Sequence, residues 1–341
     1  MKVRISFTIA VLFFLGILAS GCGTPIASTT NSMTSTFNST SVITSITTET
    51  TNTTSSTTPE ITTTPGELLP LAGTYMNSIT SGPDGNLWFT ETNADKIGKI
   101  SPAGGKITEY DVPFSGYIRS SPDGITSGPD GNLWFTNVDT NKIGKISPAT
   151  GTVTVYDVPT AIAGPKGIVA GPDSNMWFTE SYVNKIGKIS PVTGNITEYR
   201  VSDISAPVLS RGIVIGPDGN LWFIASMTNQ IGKISPVTGE VTEYHAPTYR
   251  ASPIGITAGP DGNLWFTESL GDKIGKISPQ TGDFTEYDLL VDLNHRCYPE
   301  GITAGPDGNL WFMEYGGNRI GKISLADGGI IEYFVNNYPE N

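Results

Sequence analysis

From about residue 75 onward, apolar residues fall into short runs separated by Gly, Pro, Asp and Asn, and the same order of runs returns six times. Trp88, Trp134, Trp177, Trp222, Trp265 and Trp311 each open a Trp-Phe step, at intervals of 46, 43, 45, 43 and 46 residues. Nine residues after each, Ile97, Ile143, Ile186, Ile231, Ile274 or Ile320 starts an Ile-Gly-Lys-Ile-Ser run. In the fifth unit Gly255-Ile-Thr-Ala-Gly259 reads as a first strand and Pro260-Asp-Gly-Asn263 as a turn, with Gly262 supplying a positive φ. Asn263–Glu268, Lys273–Ser278 and Phe284–Tyr287 read as strands two to four, with Pro279-Gln-Thr-Gly282 turning the chain before the last. Ser174 and Met176 depart from the pattern in the third unit, where a slightly strained hairpin is expected.

Adjacent large residues such as Trp265-Phe266 suit a strand covered on both faces, where a one-sided sheet would alternate. The glycine of each Ile-Gly-Lys-Ile step leaves space for a neighbouring aromatic ring. A period of about 40–45 residues with four short strands is the signature of a β-propeller blade. The expected fold is all-β, a propeller of six four-stranded blades over 67–341, with a seventh, eroded blade as the alternative. No blade buries both faces alone, so the array is expected to close. Glu67-Leu-Leu-Pro70 resembles the Thr-Glu-Tyr strand and is a candidate to pair with the last blade.

The N-terminal sequence adds an export signal. Lys2 and Arg4, an apolar stretch from Ile5 to Leu18 and Ala19-Ser20-Gly21 form a signal peptide over 1–21. Cys22 follows at once, as in a lipoprotein; the alternative is a plain cleaved signal with an incidental cysteine. Two acyl chains on Cys22 would give a stable anchor where one is marginal. Between Thr24 and Pro65, 26 of 42 residues are Ser or Thr, and only Glu49 and Glu60 are charged. Such a tract cannot offset its chain entropy by burial, so residues 22–66 are expected to be a disordered stalk. The expected location is outside the cell, anchored at the surface or secreted.

The net charge is −12, or −14 without Lys2 and Arg4. An acidic surface repels phosphate backbones and argues against a nucleic-acid partner. The expected partner is a small molecule, a glycan or a protein met by a monomeric chain, with the membrane touched only through the anchor. Two cysteines, one of them at the processing site, do not make an intramolecular disulfide.

The phrases Gly-Pro-Asp-Gly-Asn-Leu-Trp-Phe-Thr-Glu, Ile-Gly-Lys-Ile-Ser-Pro and Ile-Thr-Glu-Tyr closely resemble the repeats of the virginiamycin B lyases, across residues 75–335. The resemblance implies a propeller enzyme that opens a cyclic depsipeptide by elimination at its ester. It also implies a divalent metal, Mg²⁺, held by glutamates, with histidine as base. In that family the histidine stands in a Pro-His-Gly-Ile segment, in one blade with a glutamate before the proline. The matching segments here are Pro122-Asp-Gly-Ile125, Pro165-Lys-Gly-Ile168, Ser210-Arg-Gly-Ile213, Pro253-Ile-Gly-Ile256 and Pro299-Glu-Gly-Ile302. None has the histidine, and Ser121, Gly164, Leu209, Ser252 and Tyr298 stand where that glutamate would.

One mouth of a propeller gathers the entries to strand one and the hairpins after strand two. It is expected to hold Asp123, Lys166, Arg211 and Glu300, together with Glu91, Glu180, Glu268 and Glu314. These last four are candidate ligands for a hard cation, which would polarise an ester carbonyl. The alternative pairs each with the basic residue five positions on, Lys96, Lys185, Lys273 or Arg319, across the hairpin. His295, in the long connection before Tyr298, is the candidate general base, or else a solvated loop histidine. Cys297 is expected to pack, and Asp84, Asp130, Asp218, Asp261 and Asp307 to serve their turns. Two functional classes stand: a surface-tethered binding propeller, favoured by the missing histidines, and a metal-dependent carbon–oxygen lyase.

Overall fold

A computed structural model describes residues 75–114, 118–201, 209–290 and 296–335; for 209–211 only the backbone is described. The signal segment, Cys22, the Ser/Thr-rich tract, Glu67–Pro70 and His295 lie outside the described residues. The described chain forms 24 strands in six four-stranded antiparallel sheets, each ordered one-two-three-four. The blades span 76–111, 122–157, 165–200, 209–245, 253–288 and 299–334. In the fifth, the strands are Pro253–Ala258, Leu264–Glu268, Lys273–Ile277 and Phe284–Asp288, so the elements read from the repeat are those observed.

Each first hairpin is locked by its own aspartate. The Gly262 N–H donates to the Gly259 carbonyl at 3.1 Å, and the Gly259 N–H to the Asn263 carbonyl at 2.8 Å. Gly262 sits at φ 76° between these bonds, the bulged position that follows such a turn. Asp261 Oδ1 accepts from the Asn263 N–H at 3.2 Å and from the Trp265 indole at 3.0 Å. Burial works to raise this carboxyl, but the bonds from Asn263 and Trp265 and the Lys276 charge together hold it below its ordinary value. The turn aspartate thus anchors the tryptophan of its own blade. The third blade keeps the same bonds with Ser174 at φ 60°, the strained non-glycine residue expected there.

The register seats the aromatic residues. Phe266 faces Gly275 across the strand pair, and a Cβ on Gly275 would lie 2.2 Å from the ring tip. On the opposite face, Trp265 stacks on Tyr287 with centroids 5.4 Å apart, and the Lys276 ammonium lies 5.2 Å over the indole. Both faces are then covered by neighbouring blades. Trp88, Ile97 and Val112 of the first blade pack on Ile125, Leu133, Phe135 and Ile146 of the second. Trp265, Ile274 and Leu289 pack on Cys297, Leu310, Phe312 and Ile323 in the same way at the last junction. A fully buried Trp removes roughly 150–250 Å² from water, about 4–6 kcal/mol as an upper bound. Five junctions have this construction. Among the described residues the sixth and first blades do not pack together in this way.

The two kinds of glycine separate by experiment. Gly275→Ala forces a methyl into the Phe266 ring and is expected to destabilise by about 3 kcal/mol or more. Gly262→Ala, with no atom within 4 Å, costs only its positive φ, about 1–2 kcal/mol. Denaturant unfolding of both variants reads the difference; equal losses would contradict the ring's seat.

Candidate functional site

The strand-one edges of successive blades adjoin one another, so the residues two before the strand-one isoleucines Ile79, Ile125, Ile168, Ile213, Ile256 and Ile302 form an inner ring. Its members are Asn77, Asp123, Lys166, Arg211, Ile254 and Glu300. Two devices of the repeat hold them. The hairpin after strand two ends in a short polar residue at positive φ, as in Asp95 (57°), Asn141 (58°), Asn229 (60°) and Asp272 (51°). That side chain grips the connection entering the next blade. Asp95 accepts from the N–H groups of Ser120 and Ser121 at 2.8 and 3.1 Å, and Asp272 from those of Cys297 and Tyr298 at 2.9 and 3.2 Å. The second device is the strand-two threonine, whose hydroxyl donates to a ring carbonyl of the next blade. Thr90 bonds Asp123, Thr136 bonds Lys166 and Thr267 bonds Glu300, at 2.7–2.8 Å. A Cβ on Gly255 would lie 2.2 Å from the Glu300 carbonyl, which is why glycine follows the ring residue. Neither device was inferred from the sequence, although the Asn or Asp closing each strand-two hairpin recurs in it.

The ring is chemically mixed. Asp123 is buried, with the Asn77 amide 3.3 Å from its carboxylate. Lys166 is half-buried, and its ammonium lies 5.4 Å over the Tyr182 ring. Ile254 is half-buried and Glu300 exposed; the Arg211 side chain lies outside what is described. The hairpins and connections of blades four and five also border a cleft of about 680 Å³ lined by Met227, Asn229, His245, Tyr249, Arg250 and Leu270 among others.

The four strand-two glutamates lie behind this ring. Glu91, Glu180, Glu268 and Glu314 are all buried. Each faces its basic residue across the strand pair, as Glu180 does Lys185 and Glu268 does Lys273. The cation, however, reaches past it to the glutamate of strand four. Lys96 meets Glu109 at 2.7 Å, Lys185 meets Glu198 at 2.7 Å, Lys273 meets Glu286 at 3.2 Å, and Arg319 meets Glu332 at 2.7 Å. The cross-hairpin pairing is in register, and strand four adds a second and closer partner: Arg319 lies 4.0 Å from Glu314 and 2.7 Å from Glu332. Among the described residues, the Glu180 carboxylate oxygens have no hydrogen-bond partner. Burial, reinforced by the nearby Glu198 charge, pushes its carboxyl up to about 8. Burial and Glu286 push Glu268 up to about 8 as well, and burial raises Glu91 and Glu314. Asn137 and Ala225 take the place in the second and fourth blades.

Among the described residues, Glu91, Glu180, Glu268 and Glu314 do not come together as one ligand set. The acid and thiol groups that do are Cys297, Glu314 and Glu332, within 4.8 Å of one another. This set does not fit Mg²⁺. Arg319 already supplies the positive charge at Glu332, and burial with the adjacent Glu314 pushes the Cys297 thiol up to about 12. A protonated thiol is a poor ligand for a cation that demands oxygen. Cys297 is buried in the junction of blades five and six.

Fold and mouth define a β-propeller built from a single kind of repeat. The family model of the virginiamycin B lyases matches residues 47–209 and 119–339, and the chain belongs to that family. A streptogramin B lyase structure is 37% identical, with a TM-score of 0.71, over 79% of this chain and 86% of that one. The virginiamycin B lyase of Staphylococcus aureus is 36% identical, with a TM-score of 0.70, over 78% of this chain and 86% of that one. A catalytically inactive variant of that lyase, with a histidine replaced by alanine, was solved with quinupristin; it is 37% identical, with a TM-score of 0.70, over 78% and 86% of the two chains. The extracellular domain of a putative hybrid two-component system from Bacteroides thetaiotaomicron shares the fold alone, at 18% identity and a TM-score of 0.62, over 78% of this chain and 37% of that one. No curated protein matches.

The raised glutamates set a pH dependence. A carboxyl at about 8 in the folded chain and near 4.5 when unfolded binds more protons folded, so stability is full below about pH 4.5 and falls as pH rises towards 8. Glu180→Gln and Glu268→Gln are each expected to raise stability at pH 8.5 by on the order of 2 kcal/mol and little at pH 4.5. Thermal melts across that range check it; equal effects at both ends would contradict it.

Proposed function

We propose that this protein is an exported propeller, tethered at the cell surface through Cys22, that binds a ligand at its inner ring without turning it over. The observation that supports this best is the make-up of the ring. Asp123, Lys166, Ile254 and Glu300 stand in the segments that match the Pro-His-Gly-Ile segment implied by the family resemblance, so those positions offer no imidazole to act as base. The buried glutamates behind the ring support it further, because they are withdrawn from solvent and two of them titrate near 8. A ring bearing both charges and an apolar member suits a neutral or mixed-charge ligand, such as a peptide or a glycan. Export is supported by residues 1–21, and a stalk of some forty Ser/Thr-rich residues gives a tethered domain reach.

The second reading is a lyase of the family type, favoured by the 37% identity to streptogramin lyases. It would need His295 as base and a cation at Glu268 and Glu314. Quinupristin with Mg²⁺ tests it directly. Ring opening by elimination leaves the mass unchanged, so the product is followed by chromatography. We expect no opening, with or without EDTA. Peptide and glycan arrays are expected to reveal binding that the Asp123→Ala/Lys166→Ala double variant weakens at least about tenfold, the loss of roughly 1.4 kcal/mol. Opening of quinupristin that depends on His295 would overturn the binding reading, and so would array binding unmoved by the double variant.

A further inference from the structure

The connection from blade four to blade five has a close twin between blades two and three, and the pair shows what the side chains add to a shared backbone. In the twin, the Asn141 amide donates to the Val158 and Thr160 carbonyls at 3.2 and 2.9 Å. Asn229 makes the same bonds to Ala246 and Thr248, at 3.2 and 2.8 Å. Thr160 and Thr248 each donate N–H and hydroxyl to a strand-four glutamate, Glu198 in one case and Glu286 in the other. Two residues further on, Ile162 and Arg250 both stand at positive φ, 54° and 55°. The Tyr182 and Leu270 N–H groups then close the connections on the Ala163 and Ala251 carbonyls, at 3.0 and 2.9 Å. One backbone scaffold is used twice.

Its side chains are not repeated. Where the twin has Asp139, Asp157, Ala161 and Ile162, blades four and five have Met227, His245, Tyr249 and Arg250. Two carboxylates are lost and a guanidinium is gained, while Lys142, the partner of Asp157, gives way to Gln230. These four residues and Leu270 border the cleft of about 680 Å³. Among the described residues its wall has no Asp or Glu, in a chain whose net charge is −12. Glu243, two residues before His245, stands outside that wall. Met227 is 73% and Tyr249 81% exposed, so both present apolar surface at the opening. Arg296 and Arg319 each pair with a carboxylate at 2.7 Å. Arg250 instead lies over the Tyr249 ring, 5.1 Å from its centroid, and among the described residues no carboxylate pairs with it.

We infer that this cleft is a second binding site, separate from the inner ring, and that it takes an aromatic carboxylate. A guanidinium holds a carboxylate through two parallel hydrogen bonds, and Arg250 has no carboxylate to give up first. Tyr249, Met227 and Leu270 supply a ring face, a thioether and an alkyl side chain against an aromatic body. The volume falls within the range of small-molecule sites, roughly 300–1,000 Å³. An acidic surface repels organic anions, so the loss of two carboxylates at this one scaffold is what admits them. Asp123, Lys166, Ile254 and Glu300 lie outside the wall, and the site stands whether or not the ring holds a ligand.

Calorimetry on the whole chain at neutral pH tests the site with two matched probes, 2-naphthoate and the uncharged 2-naphthamide. Naphthoate is expected to saturate a single site, about fivefold or more tighter than naphthamide. Arg250→Gln should weaken naphthoate by about fivefold or more and leave naphthamide within about twofold. Met227→Asp restores the carboxylate that the twin carries as Asp139, and should weaken naphthoate by a similar factor. Ile162→Gln alters the twin at the place of Arg250 and should move neither probe. All three substituted side chains are exposed, so melting temperatures should stay near that of the parent chain. Absence of saturable naphthoate binding overturns the site, and naphthamide bound as tightly as naphthoate overturns its preference for an anion. Naphthoate affinity unmoved by Arg250→Gln, or lowered as much by Ile162→Gln, overturns its placement.

Discussion

A sheet with two apolar faces requires a neighbour on each, and most of this molecule follows from that requirement. Each Phe of a Trp-Phe step lies over the glycine of its own strand three, and each Trp stacks on the tyrosine of strand four. Neither ring is sealed from water until the adjacent blade arrives. The Leu-Phe-Ile side of one blade and the Trp-Ile side of the next are the only surfaces that need to match, so one repeat serves five junctions. Stability in such an array is close to a sum of blade terms and junction terms. The end blades lack one junction each among the described residues, and they carry the exposed Ile79, Met313, Ile320 and Tyr333.

The mouth inherits its geometry from the same repeat. Strand one of the second, third and sixth blades meets the strand-two threonine of the blade before, and the polar residue at the head of a hairpin grips the incoming connection, as Asp95 and Asp272 do. The ring side chains are therefore the free variable. Their backbone is held by groups that do not depend on their identity, so one scaffold can present different side chains there, Asp123, Lys166 or Glu300 in this chain. Membership of the virginiamycin B lyase family is a statement about that scaffold; the chemistry belongs to the ring.

Much of this was legible in the sequence. The Trp spacing, the Pro-Asp-Gly-Asn turns and the Ile-Gly-Lys-Ile steps placed all 24 strands, because each marks a strand pair with a residue type that the geometry requires. The glutamates were less legible. Five-residue spacing put Glu180 beside Lys185 in register, and the register is right. Yet strand four, some thirteen residues further along, brings Glu198 to the same lysine and takes its charge. Competition between partners at different sequence distances is not visible in spacing. The threonine latch was overlooked for a different reason: a hydroxyl at strand two carries no periodic signal that separates a bond to the next blade from one to its own.

Order in this molecule resides in the junctions between blades. Native-state hydrogen exchange on the whole chain tests it most directly, by comparing the strand-three amides Ile97, Ile143, Ile186, Ile231, Ile274 and Ile320 with one another. The strongest protection is expected in blades three and four, with the first and sixth blades opening at lower free energy because each has a single described junction. Uniform protection across all six blades would contradict it, since the end blades would then be held as firmly as those covered on both faces.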